Sequence, residues 1–141
     1  MIVELLVAML MVLLTVLIHG AGIYGLARAL RLEAREEAAW HIHPISPRGM
    51  AITLALVVGL IVLHGIEIWT YAVLYLAADA IHMLREAVYF STITYATIGY
   101  DDEIIAPSWK LVAAIEGVNG VILMGWSTAF FVRVVARMGR D

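Results

Sequence analysis

The chain has 141 residues, 63% of them hydrophobic and 15% charged, with a mean hydropathy of +0.93 and a formal net charge of −3. About half of a soluble domain is apolar, so the excess points to lipid, and the length leaves room for one domain. The absence of cysteine excludes disulfides, thiolate metal sites and cysteine nucleophiles, and no basic run or aromatic–basic interleaving points to nucleic acid.

Charge divides the chain. Leu5 to Ala27 is uncharged, with His19 its one histidine; Gly49 to Ala78 holds Glu67 as its one charge, and Leu111 to Val132 holds Glu116 alone. Each stretch exceeds the roughly 20 residues that a helix needs to cross a hydrocarbon core, where the backbone must satisfy itself internally. Three transmembrane helices are therefore expected. The first (1–28) lacks a basic leader and is followed by its positive charges, so it reads as a retained anchor with its N-terminus outside, not a cleaved signal. A cytoplasmic linker (29–48) follows. Its first part, Arg28 to Trp40, is rich in Ala, Glu and Arg and is expected to prolong the helix, with Pro44 and Pro47 ending it and Trp40 at the interface. Glu33, Glu36 and Glu37 with Arg31 and Arg35 read as a solvated face. His41 and His43 read as solvated loop residues, with pH sensing as the alternative.

After the second span (49–78) comes a different stretch. Ala87 to Tyr100 is uncharged and apolar but too short to span, rich in Thr, Ser and Tyr, and ends in Gly99-Tyr100-Asp101-Asp102. Such a segment suits a re-entrant backbone that leaves the helical state inside protein. The third span covers 109–136. Arg28, Arg31, Arg35, Arg48, Arg133, Arg137 and Arg140 share one side of the membrane, and only Arg85 and Lys110 lie on the other. The positive-inside rule makes the first side the cytoplasm, so the C-terminus is inside and the short segment enters from outside.

The run Thr94-Tyr95-Ala96-Thr97-Ile98-Gly99-Tyr100-Asp101-Asp102 resembles the potassium-channel filter pattern Thr-x-x-Thr-Val-Gly-Tyr-Gly-Asp. It matches at Thr94, Thr97, Gly99, Tyr100 and Asp102, with Ile98 for Val. From Gly49 to about Arg137 the chain is similar to the small bacterial two-helix ion-channel domain, with one extra N-terminal helix. The resemblance implies an all-α membrane protein: three transmembrane helices, a re-entrant pore helix and filter loop at 84–102, and a homotetramer in a bacterial inner membrane. It implies passive conduction and no enzymatic chemistry. Potassium ions are held by the carbonyls of Thr97, Ile98, Gly99 and Tyr100, four loops to a ring, with the Thr97 hydroxyl at the inner end. Tyr100 and Tyr89 brace the loop. Asp101 replaces the second filter glycine and sits in the outermost ring. With Asp102 and Glu103 it places three carboxylates per subunit at the mouth, a ring that concentrates cations or binds a divalent ion. A non-selective or divalent-modulated pore, and a non-conducting scaffold subunit, stand as alternatives; a membrane metalloenzyme is a third.

Further residues carry two readings each. Glu67 and Glu116 are intramembrane carboxylates, costly and functional by default, expected to hydrogen-bond the pore loop together with Thr94; the alternative is a protonated or water-facing carboxyl. His64 and Glu67 share a helix face and with His19 compose either a polar contact between helices, the favoured reading, or a metal site. Gly120 or Gly125 suits a gating hinge, and these glycines with Gly117 equally suit close helix packing. Met124, Ser127 and Phe131 are candidate cavity-lining positions. The N-terminal helix is expected on the lipid side of the second span.

Overall fold

The computed structural model describes residues 1–30, 45–99 and 103–138. The readings made for the linker helix beyond Leu30, for His41 and His43, and for Tyr100, Asp101 and Asp102 lie outside the described residues.

Among the described residues, four α-helices and one short 3₁₀ turn follow in order: α1 (Ile2–Ala29), α2 (Pro47–Ala77), α3 (Leu84–Tyr95), the turn Pro107–Trp109, and α4 (Lys110–Met138). Helices α1, α2 and α4 are long and apolar enough to cross a membrane; α3, at 12 residues, is not. The protein is an all-helical integral membrane protein in a lipid bilayer. Pro47 opens α2. It occupies the first helical position, where its missing N–H is not needed, while the Ser46 side chain caps Gly49 N–H at 3.1 Å.

Helix α2 stops at a Schellman turn: Ala80 N–H reaches Tyr75 O at 2.9 Å, Asp79 N–H reaches Leu76 O at 3.2 Å, and Asp79 takes the left-handed conformation (φ 55°). The chain leaves at Ala80, descends through α3, and comes back to that level at Ala106, whose N–H bonds Ala80 O at 3.1 Å. That bond closes the neck of a re-entrant loop.

The three long helices pack through reciprocal gaps. Gly22 of α1 receives Leu63 of α2, and Gly59 of α2 receives Leu26 of α1; a Cβ on either glycine would lie within 2.3–2.6 Å of the opposing leucine. Small residues are what allow such close approach where lipid offers no hydrophobic drive between helices. Helix α1 packs on the second span, as expected, and on the third as well: it lies in the groove between α2 and α4. Its buried face is Ala8, Met11, Thr15 and His19, and Asn119 of α4 donates to Thr15 Oγ1 at 2.8 Å and to Tyr71 OH of α2 at 3.4 Å. A polar stripe is what a groove between two helices can satisfy and lipid cannot. Thr15→Val is expected to lower stability in micelles by about 1 kcal/mol, measured by denaturant titration, because it strips the Asn119 amide of its nearer partner.

Candidate functional site: a re-entrant helix anchored by two buried carboxylates

The site is the inner end of α3 and the loop after it. Helix α3 ends in a second Schellman turn: Ile98 N–H bonds Ile93 O at 2.8 Å and Thr97 N–H bonds Thr94 O at 2.9 Å. Thr97 occupies the left-handed position (φ 58°), and Gly99 follows at φ 53°. Glycine takes this conformation freely; a β-branched threonine does so at a cost of about 1–2 kcal/mol. Thr97, Ile98 and Gly99 are exposed on the isolated chain. Thr97 and Gly99 flank a cleft of about 450 Å³ between α3 and α4, bounded by Phe90, Thr94, Gly117 and Val118.

Two carboxylates hold α3 against the outer helices. Glu116 of α4, fully buried, accepts from Tyr75 OH of α2 at 2.6 Å and from the Ser91 hydroxyl of α3. Ser91 Oγ also lies 2.9 Å from Ile68 O. One turn deeper, Glu67 of α2, also fully buried, accepts from the Tyr95 hydroxyl at the last residue of α3. Its other oxygen lies 2.8 Å from His19 Nδ1 of α1, and His64 Nδ1 lies 3.1 Å from Glu67 Oε2 and 3.0 Å from Tyr95 OH. A buried carboxylate is stable only when its oxygens are occupied by donors, and among the described residues no buried side-chain nitrogen or oxygen lacks a partner. Ser91 and Tyr95 are four apart, so one face of α3 carries both contacts.

The glycines of α4 divide by position. A Cβ on Gly120 would sit 2.3 Å from Tyr95 O, and one on Gly117 would sit 3.2 Å from Thr94 O, so both are places where α4 touches the backbone of α3. Gly125 has open space around it and lies on the outward stripe of α4 with Val118, Ile122 and Val132. Ser127, expected to line a cavity, is instead buried toward α1, 3.4 Å from His19 Nε2. Met124 and Phe131 are half-buried, and Phe131 packs on the cluster of Leu56, Leu60 and Val134. Glu103 is exposed at the start of the returning segment. Sequence reasoning missed Tyr75, Ser91, Tyr95, Asn119 and Tyr71 as partners of the buried groups. The four-residue spacing of Tyr71 and Tyr75 and of Ser91 and Tyr95, and the three-residue spacing of Glu116 and Asn119, within apolar helices were the available signal.

The sequence pattern of the ion channel family matches residues 61–137, more than half of the chain, from the middle of α2 through the re-entrant helix to the end of α4. The chain belongs to the ion channel family. No curated protein and no solved structure matches it. Helix α1 lies outside the matched region.

Proposed function

We propose that this ion channel is a homotetramer that passes potassium ions passively through rings of backbone carbonyls from Thr97, Ile98, Gly99 and Tyr100. The observation that carries the reading is the seat of the loop. A helix too short to cross enters from one side, is fixed at Ser91 and Tyr95 by buried carboxylates, and ends where Thr97 and Gly99 take left-handed conformations. A potassium ion gives up water only to a set of oxygens of similar number. One chain supplies one loop, so a closed ring needs four. The partial negative charge at the C-terminal end of α3 favours a cation there. The exposed face of α4, with Gly125 on it, lines the inner pore, and the cleft beside Thr97 takes the neighbouring copy. The membrane is the bacterial inner membrane, with the N-terminus outside and the C-terminus in the cytoplasm, as the arginine distribution favours.

Asp101 favours a second reading, a cation pore of looser selectivity, because it stands where the family pattern has glycine. The test is the reversal potential of reconstituted protein under opposed potassium and sodium gradients without divalents. The expected value lies at the potassium equilibrium potential. A value near zero with measurable current replaces this reading with the non-selective pore, and no current from a verified tetramer favours a non-conducting scaffold. Thr97→Ala is expected to bring the reversal potential toward zero while current persists. Asp101→Gly is expected to sharpen potassium preference if the wild-type value falls short.

A further inference from the structure

His19, His64 and Glu67 come from two helices, and one ligand atom from each lies within 4.8 Å of the others. Two are fully buried, and the His64 side chain is 17% exposed, which leaves one way in. We propose that this cluster is a binding site for a divalent transition metal of the zinc class that clasps α1 to α2 beneath the end of the re-entrant helix.

The donors suit that class: two imidazoles and a carboxylate are the mixture that zinc and its neighbours accept. Bonds of about 2.0–2.1 Å to a tetrahedral ion place ligands roughly 3.3 Å apart. Two of the contacts already made, 2.8 Å from His19 Nδ1 to Glu67 Oε1 and 3.1 Å from His64 Nδ1 to Glu67 Oε2, are near that spacing, and the three ligand atoms lie within 4.8 Å of one another, so the side chains close in to hold an ion. The Tyr95 hydroxyl lies beside the cluster, 3.0 Å from His64 Nδ1, and donates to Glu67.

Two further features fit a ligating His19. A metal-bound histidine donates its other ring N–H to an oriented acceptor. In the unliganded cluster His19 Nδ1–H donates to Glu67 Oε1 at 2.8 Å; with an ion bound the ring hydrogen moves to Nε2, which faces Ser127 Oγ at 3.4 Å, and the Nδ1 lone pair is given to the metal. Its ring is also held from both sides, with the His64 ring at 5.3 Å and Trp126 at 5.1 Å between centroids. The ion would join α1, which the family pattern does not include, to Tyr95 on α3. Occupancy is then felt at the filter, a consequence that rests on the channel reading above.

The test uses the full-length protein in micelles, stripped with chelator and titrated with zinc or with cobalt(II), whose visible absorption reports tetrahedral nitrogen–oxygen ligation. One ion per chain is expected for the wild type. His64→Gln, at the more exposed edge, and His19→Gln are expected to lose it. Ser127→Ala is expected to weaken binding by about 10–100-fold, the effect of removing an orienting partner. His82→Ala, which removes the exposed His82–Asp79 pair, is expected to bind as the wild type does. No stoichiometric binding by the wild type, or binding that survives both His19→Gln and His64→Gln, overturns the site. In liposomes, zinc is expected to change flux through the wild type and not through His64→Gln. Binding without a change in flux keeps the site and overturns its coupling to the filter.

Discussion

Gly120→Ala is expected to abolish flux and to cost about 3 kcal/mol or more of stability. The added methyl would meet Tyr95 O at 2.3 Å, its carbonyl carbon at 3.0 Å and the ring Cδ1 at 3.1 Å. Two of those three atoms are main chain, so no change of rotamer relieves the clash. Either α4 or the end of α3 must move, and overpacking that shifts backbone sits at the upper end of the usual 1–3 kcal/mol. The displaced residue is two before Thr97, so the loop proposed as the filter moves with it. Gly117→Ala meets only Thr94 O, at 3.2 Å, and a milder loss of about 1 kcal/mol is expected. Gly125→Ala meets nothing in its own chain, and stability equal to or up to about 1 kcal/mol above wild type is expected, from the better helix propensity of alanine. Thermal unfolding in micelles beside flux in liposomes measures the series. Equal effects at positions 120 and 125 would refute the close-contact account and favour a shared hinge role.

Glu116→Ala is expected to cost about 3–5 kcal/mol and to release α3 from α4. It leaves Tyr75 OH, fully buried beneath Phe90 and Trp109, with no acceptor, and it opens a cavity. Ser91 suffers less, because Ile68 O at 2.9 Å remains available for its hydrogen. Glu116→Gln keeps the shape and one carbonyl oxygen, and its amide group can donate to one of the two hydroxyls, so a loss of about 1 kcal/mol is expected. Tyr75→Phe added to Glu116→Ala is expected to cost less than the two single changes together, since the second change removes the group that the first leaves stranded. Strict additivity would show that the two side chains do not interact.

The three spans were legible because lipid imposes a simple composition: about 20 uncharged residues, and charges outside. Thus Glu67 and Glu116 stood out at once as intramembrane carboxylates that needed partners. The polar stripes were present too, as Thr15 and His19, Glu67 and Tyr71 and Tyr75, Ser91 and Tyr95, each four apart and so on one helix face. What the spacing does not contain is which stripe meets which. Thr15 is 104 residues from Asn119, and Ser127 is 108 from His19. In helices apolar all round, periodicity points to no face.

By itself, then, the sequence determined the number of membrane helices, the re-entrant segment and the filter-like run, because each follows from local composition and a contiguous motif. Only the tertiary structure decided that α1 fills the groove between α2 and α4, that Ser127 turns away from the open face, and that Gly120 is a contact with the Tyr95 carbonyl. These outcomes depend on helix rotation and depth. In an apolar medium those are set by where buried donors and acceptors find one another and where a missing side chain lets two backbones touch.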